Sequence, residues 1–245
     1  APQRGLWRRW LNFVYRRPAL QTALLLSPSA VWLVVFVAVP TLIVLYFSFM
    51  TNGDFGRIIY EFTWRNYERL ANPIYARVLW RSLLLAGGTT LLCFVVGFTL
   101  AYWVAMYGGR WRNLLIFLII IPSWTSFLIR VYTWFFLLKD SGFVMQTLKA
   151  MHLVPQDTTL QLLFNWPSVL IVMVYSYLDF MVLPLYAALA RLDRSTLEAA
   201  SDLGAGPLRR LWLVTLPMVR GGILAGSVLV FVPALGEFLI PELLG

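Results

Sequence analysis

Asp179 and Glu237 are acids set inside long apolar runs, and they are where this chain could do chemistry. The run around Asp179 extends from 158 to 190 with no other charge, and Glu237 closes one that begins at 221. A charged group at mid-bilayer costs about 2.5–3.5 kcal/mol even on a lenient insertion scale, so each acid needs a cavity, a partner or a task. Tyr175, Tyr177 and Phe180 flank Asp179, while Pro233 and Gly236 precede Glu237 and predict a break in its helix. Broken helices expose backbone carbonyls and often line substrate paths. Carboxylates beside aromatic faces suit an organic cation, through Coulomb and cation–π attraction. The competing readings are an ion pair between Asp179 and Arg130 and simple packing of the aromatic rings. Glu242 fits an outer surface.

Other chemistries are missing their parts. A phosphate-cradling loop needs G-x-x-x-x-G-K-[ST], and neither lysine, Lys139 or Lys149, follows a glycine. One histidine, His152, and one cysteine, Cys93, make neither a metal cluster nor a Ser-His-Asp set. No catalytic residue is assigned, and Cys93 reads as packing.

A second constellation lies between 191 and 221. Ser195-Thr196-Leu197-Glu198 reads as a capping box with Ser195 as N-cap. Ala199, Ala200 and Leu203 continue a short helix that Gly204 can end in the left-handed conformation. Pro207 can open a second helix carrying Leu208, Leu211, Trp212 and Leu216 and stopping at Pro217. Two short helices with apolar faces need a covering surface. A groove on a partner protein and the membrane surface are equal readings on these residues.

The elements that hold these residues are membrane spans. The chain is 60% hydrophobic and 13% charged, against about 25% charged in soluble domains. The pattern predicts helices over 24–50, 83–107, 114–138, 167–190 and 222–240. The first charge-free run, 18–53, is too long for a cleaved signal and reads as an anchor. Twelve arginines fall in the N-terminal tail, the 108–113 turn and the 191–221 segment, against seven basic residues in the alternate loops. That bias predicts a cytoplasmic N-terminus, with 1–23 a basic tail, 24–245 the membrane domain and 191–221 a cytoplasmic loop. Orientation in a membrane accounts for the net charge of +9 without nucleic acid. Gly222-x-x-x-Gly226 permits close helix contact, and Gly221 with Gly222 could instead act as a hinge.

Glu198-Ala199-Ala200, three residues, Gly204, nine residues, Val214, one residue, Leu216-Pro217 resembles the EAA loop of type I ABC importer permeases, with Val214 where that family favours isoleucine. The resemblance implies an all-α polytopic fold, with five transmembrane helices here and a sixth expected beyond residue 245. It implies that Glu198, Ala199, Ala200, Gly204, Leu216 and Pro217 couple the chain to a separate ATPase. It further implies two ATPase copies binding ATP and Mg, a second, non-identical permease subunit, a periplasmic binding protein, surrounding membrane lipid and a place in the bacterial inner membrane. No cofactor is expected on this chain itself.

Ile121-Pro122-Ser123-Trp124-Thr125-Ser126-Phe127-Leu128-Ile129-Arg130 is similar to a segment of spermidine/putrescine permeases. So are Asn66–Leu70 and Phe180–Tyr186, while Pro233–Phe238 looks most like the putrescine type. The family usually has Pro where Asp179 stands. A polyamine path over Glu237, Asp179, Trp124 and Tyr175 is what the resemblance and the acids together suggest. Permeases of this type for ferric ion, thiamine or sulfate are the alternative, and a structural membrane subunit is a further one.

Overall fold

The computed structural model describes residues 18–52, 58–155 and 160–245. The arginines of the tail up to Arg17, and Arg57, lie outside the described residues. The chain divides into two units, residues 1–76 and 77–245.

In the first unit, α1 (Pro18–Leu33) passes through a π turn (Val34–Ala38) into α2 (Val39–Ser48). Helix is therefore present from Pro18, within the expected tail. The π turn stands just ahead of Pro40. A proline there has no N–H for the carbonyl four residues back and collides with it, and the wider turn relieves both. A small antiparallel hairpin follows, β1 (Met50–Asn52) with β2 (Ile58–Phe62), pairing Met50 with Phe62 and Thr51 with Ile59. It is an exception to the all-helical expectation. The helix α3 (Arg65–Leu70) closes this unit over Phe49, Phe62, Trp64 and Tyr67, whose rings meet at centroid separations of 5.1–5.7 Å. Asn66 Nδ2 donates to the carbonyls of Ser48 and Met50 and ties the hairpin to α3.

The second unit is built on α8 (Trp166–Ala190), an unbroken 25-residue helix. Asn165 caps it by accepting the Ser168 N–H at 3.1 Å. Packed on it are α4 (Pro73–Tyr107) and α12 (Arg220–Leu235). Small residues set these contacts. A Cβ at Gly97 would stand 3.0 Å from Met181 Cγ, and one at Gly226 would stand 2.8 Å from Met181 Sδ. One at Gly222 would stand 2.6 Å from Ala188 Cβ and 2.8 Å from the Pro184 carbonyl oxygen. Gly222 and Gly226 are thus packing positions, whereas nothing lies within 4 Å of a Cβ at Gly221. Cys93 is fully buried, its thiol turned to the Val174 carbonyl.

Two spans differ from the expected straight helices. Residues 114–138 do not form one helix. α5 (Arg112–Ile120) tightens into a 3-10 turn (Ile121–Trp124), then α6 (Phe127–Leu138) and α7 (Phe143–Ala150) follow, with a 90° bend between the two halves. Pro122 removes a backbone donor, and the Thr125 hydroxyl takes the Pro122 carbonyl at 2.6 Å, so the chain leaves the helix at an extended Thr125. The last span breaks as Pro233 and Gly236 predict. α12 stops at Leu235, and a short half-helix, α13 (Leu239–Leu244), resumes after Glu237. Among the described residues three helices are long and apolar enough to cross a membrane, and up to five spans result if residues 109–150 and 207–235 each count as one bent span.

Candidate functional site

The segment between α8 and α12 folds as two short helices. α9 (Arg194–Asp202) is capped by Asp193, whose carboxylate accepts the Ser195 N–H at 3.0 Å. The expected capping box at Ser195 does not form. A carboxylate two residues earlier takes the same N–H, and Glu198 is left exposed on the helix. The bond from Ser195 holds the Asp193 carboxyl below the usual carboxylate range. A depressed folded value means the cap is present at neutral pH and is lost as pH falls through that lowered value.

The far end of α9 closes as the glycine predicts. Gly204 has φ +80°. Ala205 N–H donates to the Ala200 carbonyl at 3.0 Å and Gly204 N–H to that of Ser201 at 2.9 Å, the paired bonds of a Schellman ending. Pro207 then opens α10 (Pro207–Arg210), with Gly206 as N-cap. A π turn (Leu211–Thr215) leads into α11 (Leu216–Met218), so the helix passes Pro217 and ends one residue later than expected. The arrangement repeats that at Pro40, with a widened turn just ahead of a proline. Arg210 Nη1 donates to Ser201 Oγ at 2.5 Å and fixes α9 against α10. The outward surface carries Glu198, Ala199, Gly204 and Pro217, together with Leu203, Leu208, Trp212 and Leu213, all exposed. Ala200 and Leu216 are half-buried.

The acids have partners that sequence spacing does not reveal. Asp179 is buried on α8, and its Oδ2 accepts the Ser123 hydroxyl at 2.5 Å, from the 3-10 turn where the third span breaks. No ion pair joins it to Arg130. Glu237 sits in the break between α12 and α13. Its Oε1 caps α13 by accepting the N–H groups of Leu239 at 2.9 Å and Ile240 at 3.3 Å. Its Oε2 accepts the Tyr177 hydroxyl at 2.6 Å. Each broken span is therefore tied by one carboxylate to one unbroken helix.

The four expected path residues do not share one cavity. Glu237 lines a cavity of about 450 Å³ with Arg81, Asn165 and Trp166. Tyr175 lines another, of about 290 Å³, with Arg130 and Trp134, and the Trp134 ring meets it edge-on at 5.3 Å. Trp124 is exposed and packs edge-on against Phe117 at 6.0 Å. The roles of Ser123 and Tyr177 were not read from the sequence, though Pro122 and the proximity of Tyr177 to Asp179 were the available signals.

The profile of the family described as "Binding-protein-dependent transport system inner membrane component" matches residues 94–245, which include the 191–221 segment and both acids. The chain belongs to that family. Its fold is the membrane domain of a type I ABC importer, and its class is the permease component. The spermidine/putrescine transport system permease protein PotB of Haemophilus influenzae is 39% identical over 87% of this chain and 74% of its own length. PotB of Escherichia coli K12 is 40% identical over 87% of this chain and 77% of its own. The inner membrane ABC transporter permease protein YdcU of Escherichia coli K12 is 32% identical over 96% of this chain and 78% of its own. This permease is thus similar along most of its length to the permease proteins of a spermidine/putrescine transport system.

Proposed function

We propose that this permease carries polyamines inward across the bacterial inner membrane, driven by a separate ATPase that docks on residues 194–218. The cargo reading rests on the 40% identity with a spermidine/putrescine permease over most of the chain. The coupling reading rests on the Schellman ending at Gly204, which turns two amphipathic helices outward with small residues at their joint. Small residues let a partner backbone approach closely. Two ATPase copies bind ATP and Mg, a second, non-identical permease completes the path, and a periplasmic binding protein delivers the cargo. The arginine bias supports a cytoplasmic N-terminus.

Glu237 and Asp179 lower the barrier for a cation, with Tyr175 and Trp124 offering aromatic faces. The structural duty of Glu237 sharpens its test. Glu237→Gln keeps an oxygen to cap α13 and an amide to meet Tyr177, but removes the charge. Uptake of labelled putrescine by the assembled importer should fall about 10-fold, the equivalent of about 1.4 kcal/mol. Co-purification of the complex should be unchanged. Equal uptake across putrescine concentrations would remove Glu237 from the path. Asp179→Asn keeps an acceptor for Ser123 and should lower uptake without loss of folded protein. A thermal shift as large as that of Asp179→Leu would instead mark Asp179 as a purely structural tie.

A further inference from the structure

Arg130 lies on α6, a 12-residue half-helix with no other charge. Among the described residues its side chain makes no ion pair, and its Nε is buried with no hydrogen-bond partner. The guanidinium carbon sits 5.9 Å from the Phe127 ring centre and looks onto the 290 Å³ cavity. Asp179, whose pairing with Arg130 is one of the competing readings, accepts the Ser123 hydroxyl. The neighbouring hydroxyls of Thr125 and Thr133 donate to the carbonyls of Pro122 and Ile129. Leu128, Ile129, Tyr132 and Phe136 are exposed around it.

An unpaired guanidinium in an apolar membrane segment is costly, and such groups pair with an anion or line a watery path. We propose that this cavity receives a carboxylate from a membrane helix of the second permease subunit, so that Arg130 is an intersubunit ion-pair site. Charge complementarity selects the occupant. A guanidinium presents a planar fork that a carboxylate matches with two hydrogen bonds. The exposed apolar side chains around the fork suit the flanks of an apolar helix carrying that acid. The pairing also removes a repulsive charge from beside Tyr175, where a cationic cargo would otherwise meet it.

The assembled importer provides the test, with an affinity tag on this chain and the recovered second permease quantified after detergent extraction. R130E should reduce recovery at least tenfold, and R130Q should reduce it less, since it leaves one bare carboxylate rather than two opposed ones. In the R130E background, each acid in the partner's membrane helices is then changed to Arg in turn. One such reversal should restore recovery. Wild-type recovery with both R130E and R130Q would overturn the proposal, as would a scan in which no reversal restores it. Recovery that depends on added phosphatidylglycerol in the wild type, and loses that dependence in R130Q, would assign the cavity to a lipid phosphate and equally overturn it. R130Q is uncharged and close in size, so it carries the test if R130E does not accumulate. Recovery is read without any cargo, so a wrong polyamine assignment leaves this result intact.

Discussion

Gly204→Asp is expected to leave this permease inserted and abundant while reducing uptake at least about 30-fold, the factor set by losing about 2 kcal/mol at a central contact. The reason lies in how little Gly204 touches. A Cβ there meets nothing within 4 Å, so the substituted side chain finds no clash inside its own subunit. The internal cost is the left-handed backbone at φ +80°, about 1–2 kcal/mol for an ordinary residue. Asn tolerates that conformation better, so Gly204→Asn keeps the turn while adding bulk. Loss of uptake in both variants, with normal insertion, places the defect at the ATPase surface. Loss in Gly204→Asp alone would indicate that the turn itself matters most. Normal uptake by Gly204→Asp would end the docking reading. The readouts are labelled putrescine uptake, membrane abundance and ATPase co-purification.

Gly222→Leu should act through the opposite route, by destabilising the subunit. Its Cβ would lie inside contact distance of the Ala188 methyl and of the Pro184 backbone, neither of which can swing aside. Overpacking of this kind costs about 1–3 kcal/mol, occasionally more. The melting temperature of the purified complex in detergent should fall, together with the yield of folded protein. Gly221→Leu is the control, because its side chain would enter open space. A hinge at Gly221 would give a different signature, with Gly221→Ala reducing uptake at constant melting temperature. Equal melting of Gly222→Leu and the unsubstituted complex would show that α12 and α8 do not pack as described.

Local features were the legible ones. Gly204 ends a helix and Pro207 begins one because each acts through its own backbone, and Pro233 with Gly236 announces the gap that Glu237 fills. The apolar runs gave the spans because water exclusion acts on composition along the chain. The distant ties were not legible. Asp179 reaches Ser123 across 56 positions and Tyr177 reaches Glu237 across 60, distances over which no periodicity carries information. The cap of α9 stands two residues before the expected Ser195 because Asp193 and Ser195 both carry capping oxygens, and spacing alone does not choose between them. The widened turns before Pro40 and Pro217 share a local cause and were readable in principle. The 90° turn after Trp124 needed more than Pro122, since a proline alone sets a kink and not its size.

The Gly222–Pro184 and Gly226–Met181 contacts give α12 a fulcrum near its N-terminal end. Glu237 stands eleven residues beyond Gly226, about 16 Å along a helix at 1.5 Å per residue. A rocking of α12 by roughly 10° about that fulcrum would sweep Glu237 through about 3 Å. That is more than the 2.6 Å span of its bond to Tyr177. If an ATPase docks on residues 194–218 as proposed, leverage of this size would carry a small push there to the Glu237–Tyr177 contact at the far end of α12.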